Sequence, residues 1–105
     1  MKAHKKLRHD LEELQIRLPC PWPVTLRFGK INPDSAAEMH EKKDHLEILI
    51  DGKIGNYPYL CDLLIHEYAH CRDFLPGRAK WMRRPHDSIW AIRWAEVHRE
   101  FYGVR

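Results

Sequence analysis

Apolar residues recur along this chain with two different periods, and the changes of period mark its elements. Leu7, Leu11, Leu14 and Leu18 fall at helical spacing with charged residues between them, which predicts an amphipathic helix from Lys2 to Leu18. Pro19, Pro21 and Pro23 end it, because proline has no amide hydrogen and its ring clashes with the preceding turn. Val24-Thr25-Leu26-Arg27-Phe28 then alternates apolar and polar, the pattern of a half-buried strand. Asn32-Pro33-Asp34 signals a turn. Ala37 to Glu41, Lys42-Lys43-Asp44 and His45 to Asp51 read together as a hairpin. Its second arm puts Leu46, Ile48 and Ile50 on one face and His45, Glu47 and Leu49 on the other.

Past the Asp51-Gly52 and Gly55-Asn56 loop the helical period returns. Asn56 suits an N-cap and Pro58 the first turn, so a helix is predicted from Tyr57 to Phe74, stopped by Pro76-Gly77. A basic loop follows from Arg78 to Pro85, and a last helix runs from His86 or Asp87 to Phe101 or Tyr102. Helix, three short strands, helix, helix is an α+β arrangement, and 105 residues suffice for one domain with a single core, residues 1–105.

The middle helix carries the chemistry. His66-Glu67-Tyr68-Ala69-His70 is an HExxH pentad. Imidazoles four residues apart lie roughly 40° apart around a helix axis, close enough to share one metal ion. Glu67 points about 100° from His66, beside a shared metal, where it can take a proton from water. Zinc lowers the pKa of a water it holds to about 7, which brings that proton within reach of a carboxylate. With eight histidines in 105 residues such a pentad arises by chance in about one chain in twenty, so its context decides. The context is favourable: Leu60, Cys61, Leu64, Tyr68 and Cys71 make the opposite face apolar, as expected of a central element. Asp62 and Asp73 flank the histidines as possible acceptors for their second ring N–H.

A catalytic zinc site has a third protein ligand and an open position. The continuation HExxHxxGxxH is excluded, because Asp73 holds its glycine position and Pro76 its histidine position. Glu96 and His86 on the last helix remain. Trp90, Trp94, Val97 and Phe101 form an apolar stripe predicted to face the core. His86 falls within roughly 40° of that stripe and Glu96 about 120° from its centre, so the spacing favours His86, with Glu96 the second choice. The other histidines read as surface groups: His40 and His45 on the hairpin, His98 at the flank of the last helix, His4 and His9 on a charged helix face.

Composition narrows the classes without choosing one. Hydrophobic content of 44% and charged content of 31% are ordinary for a soluble domain. No apolar run approaches the roughly 18 residues of a membrane span. The basic N-terminal residues run into polar Arg8, His9 and Asp10 where a signal peptide needs apolar ones, so cytoplasmic residence without membrane contact is expected. Cys20, Cys61 and Cys71 lack zinc-ribbon spacing, and Cys61 and Cys71 read as small buried groups. The net charge of +3 permits an acidic partner without requiring one.

The element order, the phrase Leu64-Ile65-His66-Glu67-Tyr68-Ala69-His70 and the later His86-Asp87-Ser88-Ile89-Trp90 resemble the SprT-like zincin metallopeptidases, in a minimal form that occurs in phage and bacterial proteins. In that family the third histidine opens a helix and Phe or Trp follows four residues on. The resemblance covers most of the chain after Pro23. It implies a minimal zincin fold whose last helix carries the third ligand. It also implies one zinc per chain held by His66, His70 and His86, with Glu67 as general base. Asp87 stands where many members have glycine. Longer members append a zinc ribbon or a DNA-binding tail; no counterpart is read here, and the family's action on DNA-bound proteins is not carried over.

The expected function is zinc-dependent hydrolysis of peptide bonds, by an endopeptidase rather than an exopeptidase. A protein or peptide substrate is expected to lie along an edge strand, assigned to His45–Asp51, and to be read mainly through its main chain. A second donor to the oxyanion is expected among Tyr102, Tyr68 and Arg84. Two rivals stand beside this reading. Arg78, Lys80, Arg83 and Arg84, interleaved with Trp81, suit phosphate and base contacts in a nucleic-acid-associated module. The second is a regulatory zincin-fold protein with metal but little turnover.

Overall fold

Leu46, Ile48 and Ile50 are fully buried along the centre line of the computed structural model, which describes residues 2–74 and 88–103. The described elements are α1 (Lys2–Arg17), β1 (Val24–Gly29), β2 (Ala37–Glu41), β3 (Leu46–Asp51), α2 (Tyr57–Asp73) and α3 (Ser88–Tyr102). The architecture is α+β: three helices and a small three-stranded mixed sheet. No helix among the described residues is long and apolar enough to cross a membrane.

The predicted hairpin is present, with β2 antiparallel to β3 and His40 opposite Glu47. The sheet order is β1-β3-β2, and β1 runs parallel to β3. That order overturns the assignment of residues 45–51 as the edge strand: β3 is central, and β1 and β2 are the edges. The physical reason is burial. Leu46, Ile48, Leu49 and Ile50 are all at most 4% exposed, so β3 carries apolar groups on both faces and needs cover on both sides.

The two outer edges differ. At β1, the Val24 amide donates to Gln15 Oε1 at 2.9 Å, and Arg8 Nη1 donates to the Leu26 carbonyl at 2.5 Å. Two of the outward groups of β1 are therefore met by side chains of α1. At β2, the bonds Lys42 N to His45 O (2.9 Å) and Asp51 N to Ala36 O (3.0 Å) turn the main chain of residues 36, 38, 40 and 42 toward β3. Ala37, Met39 and Glu41 consequently present their N–H and C=O outward, and among the described residues nothing bonds to them.

One face of the sheet is covered by helices. Val24, Leu26, Leu46, Ile48 and Ile50 pack with Leu7, Leu11 and Leu14 of α1 and with Leu60, Leu64 and Tyr68 of α2. Burying a leucine-sized side chain contributes about 1.5–3 kcal/mol, so this row dominates the drive to fold. His4 does not belong to a solvated face as the sequence pattern suggested. Its ring stacks on Phe28 with centres 3.7 Å apart, and Nε2 is 2.8 Å from the Ile54 carbonyl.

On α3, Val97 is fully buried and Phe101 packs against the core, as the apolar stripe requires. Trp94 departs from it at 37% exposed, its ring tilted by 34° against that of His98 with centres 4.9 Å apart. It sits at the flank of the buried face, where solvent reaches one side of the indole.

Candidate metal centre

The helix that holds the pentad is fixed at its start and along its last turns. Asn56 caps it, its Oδ1 accepting from the Tyr59 amide at 3.0 Å, and Pro58 occupies the first turn. Near its end the Tyr68 hydroxyl donates to the Leu18 carbonyl at 2.6 Å, and Arg72 Nη1 donates to the Pro19 carbonyl at 2.5 Å. Leu60, Cys61, Leu64, Ile65, Tyr68, Ala69 and Cys71 are buried, which sets the rotation of α2 about its axis. That rotation leaves His66 and His70 half-buried on the opposite side.

The two imidazoles stand with ring centres 5.1 Å apart and planes inclined at 69°. A zinc ion about 2.0–2.1 Å from an imidazole nitrogen lies about 3.2 Å from the ring centre, so two rings at a tetrahedral angle have centres about 5.2 Å apart. The pair thus has the spacing that two imidazole ligands of one zinc require. Neutral imidazole is also the ligand type this metal favours.

Glu67 lies between them in sequence and beside them in space, with Oε2 3.9 Å from His66 Nε2. It is the single charged residue in the core of the described chain, 7% exposed. Burial pushes its carboxyl up from 4.5 to about 7, and the negative charge of Glu38 on β2 adds to the effect. A carboxyl balanced near neutrality is suited both to accepting and to returning a proton.

Trp90 closes the other side. Its ring centre lies 5.0 Å from that of His66 and 5.4 Å from that of His70, so α3 presses one indole against both imidazoles. The sequence pattern assigned Trp90 to the core stripe, and the family resemblance also rested on it, but neither predicted a contact with the imidazoles. Its placement four residues after His86 was the available signal for this contact.

Among the described residues no group of three or more His, Cys, Asp or Glu converges to hold a metal; what the described chain brings together is the His66–His70 imidazole pair and the Glu67 carboxyl. His86 lies outside the described residues, as do Arg84, the basic loop Arg78, Lys80 and Arg83, and Trp81. Glu96, the second choice, is committed elsewhere: Oε1 accepts from Arg93 Nη1 at 2.9 Å, and Oε2 is 3.6 Å from Arg72 Nη2.

The two described oxyanion candidates are engaged as well. Tyr68 is fully buried with its hydroxyl on Leu18, which removes it from the site. The Tyr102 hydroxyl donates to Asp62 Oδ1 at 3.1 Å, and partial desolvation together with the Asp62 carboxylate holds its pKa up at about 12, although the residue as a whole is exposed. Glu38 was missed by the sequence reading, although the period-two pattern of β2 places it on the face away from Met39.

No protein-family model, curated protein or solved structure matches the chain.

Proposed function

We propose that the chain is a zinc-dependent peptidase of the SprT-like type, built on a minimal zincin fold and cleaving within peptide chains. The observation that carries this reading is the imidazole pair, 5.1 Å apart, beside a buried carboxylate whose pKa is raised to about 7. His66 and His70 would hold the metal, with His86 as third ligand. Zinc in that position supplies Lewis acidity toward the scissile carbonyl and lowers the pKa of water.

Everything else is the work of the chain. Glu67 accepts the proton of the attacking water and delivers it to the departing amine. Its burial favours this role, since a carboxylate shielded from bulk water gives the proton up to the reaction rather than to solvent. Trp90 restricts both imidazoles to one orientation. The substrate backbone lies along β2, where Ala37, Met39 and Glu41 offer main-chain donors and acceptors in an extended register.

The test is turnover of an unstructured protein such as casein, or of a quenched fluorescent peptide, by zinc-reconstituted protein. Cleavage should be abolished by a chelator and by Glu67→Gln, with zinc retained in the variant. Full activity in Glu67→Gln would sink the mechanism.

A further inference from the structure

β2 offers a guest strand more than hydrogen bonds. Its outward main-chain groups belong to Ala37, Met39 and Glu41, so a strand added there makes hydrogen-bonded pairs with those three residues. The guest residue facing Glu38 then occupies the intervening, non-hydrogen-bonded pair. In such pairs the two side chains lie on the same face, with Cβ atoms about 4.5–5.5 Å apart. Ala37 and Met39 point to the core, so the Glu38 face is the one free to meet a guest side chain.

The chemistry at that position is acidic. The Glu38 side chain is 33% exposed, and its Oε1 is 3.1 Å from His40 Nε2. Oε2 has no hydrogen-bond or ionic partner among the described residues. The positive side chains nearby are taken up by another residue: Arg27 Nη2 and Lys42 Nζ lie 3.3 and 3.9 Å from Glu47 Oε1. One carboxylate oxygen is thus left to face the guest.

We propose that Glu38 makes this edge selective for peptides that carry lysine or arginine opposite it, and disfavours those with an acidic residue there. The inference rests on the reading that a peptide lies along β2, and it names the substrate class of that site: basic, extended polypeptide. Glu38 acts here as a specificity residue and takes no part in bond cleavage. Opposite charges facing across a strand pair attract and like charges repel, each by enough to change affinity about two- to fivefold.

The experiment uses the full chain with Glu67→Gln, loaded with zinc, so that peptides bind without being consumed. Fluorescent ten-residue peptides with Lys, Gln or Glu at every second position carry those residues on one face and present one of them to Glu38 in every register that turns this face toward it. The lysine peptide should bind at least threefold more tightly than the glutamate peptide. Adding Glu38→Gln should level the series, and Glu38→Lys should reverse it. An order that survives both substitutions, or binding to none of the peptides, overturns the proposal. Cleavage by the unsubstituted chain is scored separately. Charge-dependent binding without cleavage keeps the Glu38 assignment and removes the peptidase; cleavage indifferent to residue 38 does the opposite.

Discussion

Trp90 sits with its ring centre 5.0 Å from that of His66, and the same indole reaches His70. An aromatic wall of this kind limits the rotamers of both imidazoles and would shield a zinc held by them from water. Removing a group that orients metal ligands typically lowers affinity about 10- to 100-fold. Trp90→Ala should therefore weaken zinc binding by at least about tenfold in a chelator competition, while Trp90→Phe keeps most of the affinity. Equal affinity in Trp90→Ala would mean the indole is packing alone.

Glu67 gives the metal-free protein a pH dependence of definite sign. Its carboxyl titrates at about 7 in the folded chain and near 4.5 when free. Between those values the unfolded chain has released the proton and the folded chain still holds it, so stability falls as pH rises through the window. Above about 7 the buried charge is present and the full penalty, about 3 kcal/mol, persists. Metal-free Glu67→Gln should accordingly exceed the metal-free parent in stability by about 1–3 kcal/mol at pH 8 and match it at pH 4. Urea titrations at the two pH values decide the point.

The cysteines should be inert at neutral pH. Burial pushes the Cys20 thiol up to about 11, against smaller opposing effects of Tyr68 and Arg72, and burial raises Cys61 and Cys71 too. Only the thiolate alkylates, so the rate of Cys20 with iodoacetamide should climb about tenfold per pH unit from 7 to 10. Labelling at pH 7.5 as fast as a free cysteine would contradict the buried environment.

Tyr68 separates a structural role from a catalytic one. Its hydroxyl bonds the Leu18 carbonyl at 2.6 Å and ties the end of α1 to α2. Tyr68→Phe should cost about 1–2 kcal/mol of stability and leave turnover per folded molecule within about twofold. Loss of an oxyanion donor would instead lower kcat by about 10²–10³.

How much of this was written in the sequence depends on range. Asn56, Pro58 and the apolar period set α2 locally, and the structure starts it at Tyr57 as expected. Alternation in residues 45–51, after the polar Lys42-Lys43-Asp44 turn, likewise marked the hairpin. Sheet order was not legible, because it depends on β1 reaching across the chain to pair with β3. Leu49 was the clue: an apolar residue on the supposedly outward face marks a strand covered on both sides. His4 was misread for the same reason, since its partners Phe28 and Ile54 are distant in sequence. Of the site, the pentad was legible because its geometry is contained in two helical turns. Trp90 and Glu38 come from other elements and became visible only when the fold brought them together.

Zinc stoichiometry tests the central claim most directly. Protein reconstituted with zinc and dialysed should retain about one ion per chain, and His66→Ala, His70→Ala and His86→Ala should each lose it or bind it far more weakly. No zinc in the unsubstituted chain would make the imidazole pair a packing feature of α2 and end the peptidase reading. Full affinity in His86→Ala would contradict the three-histidine site.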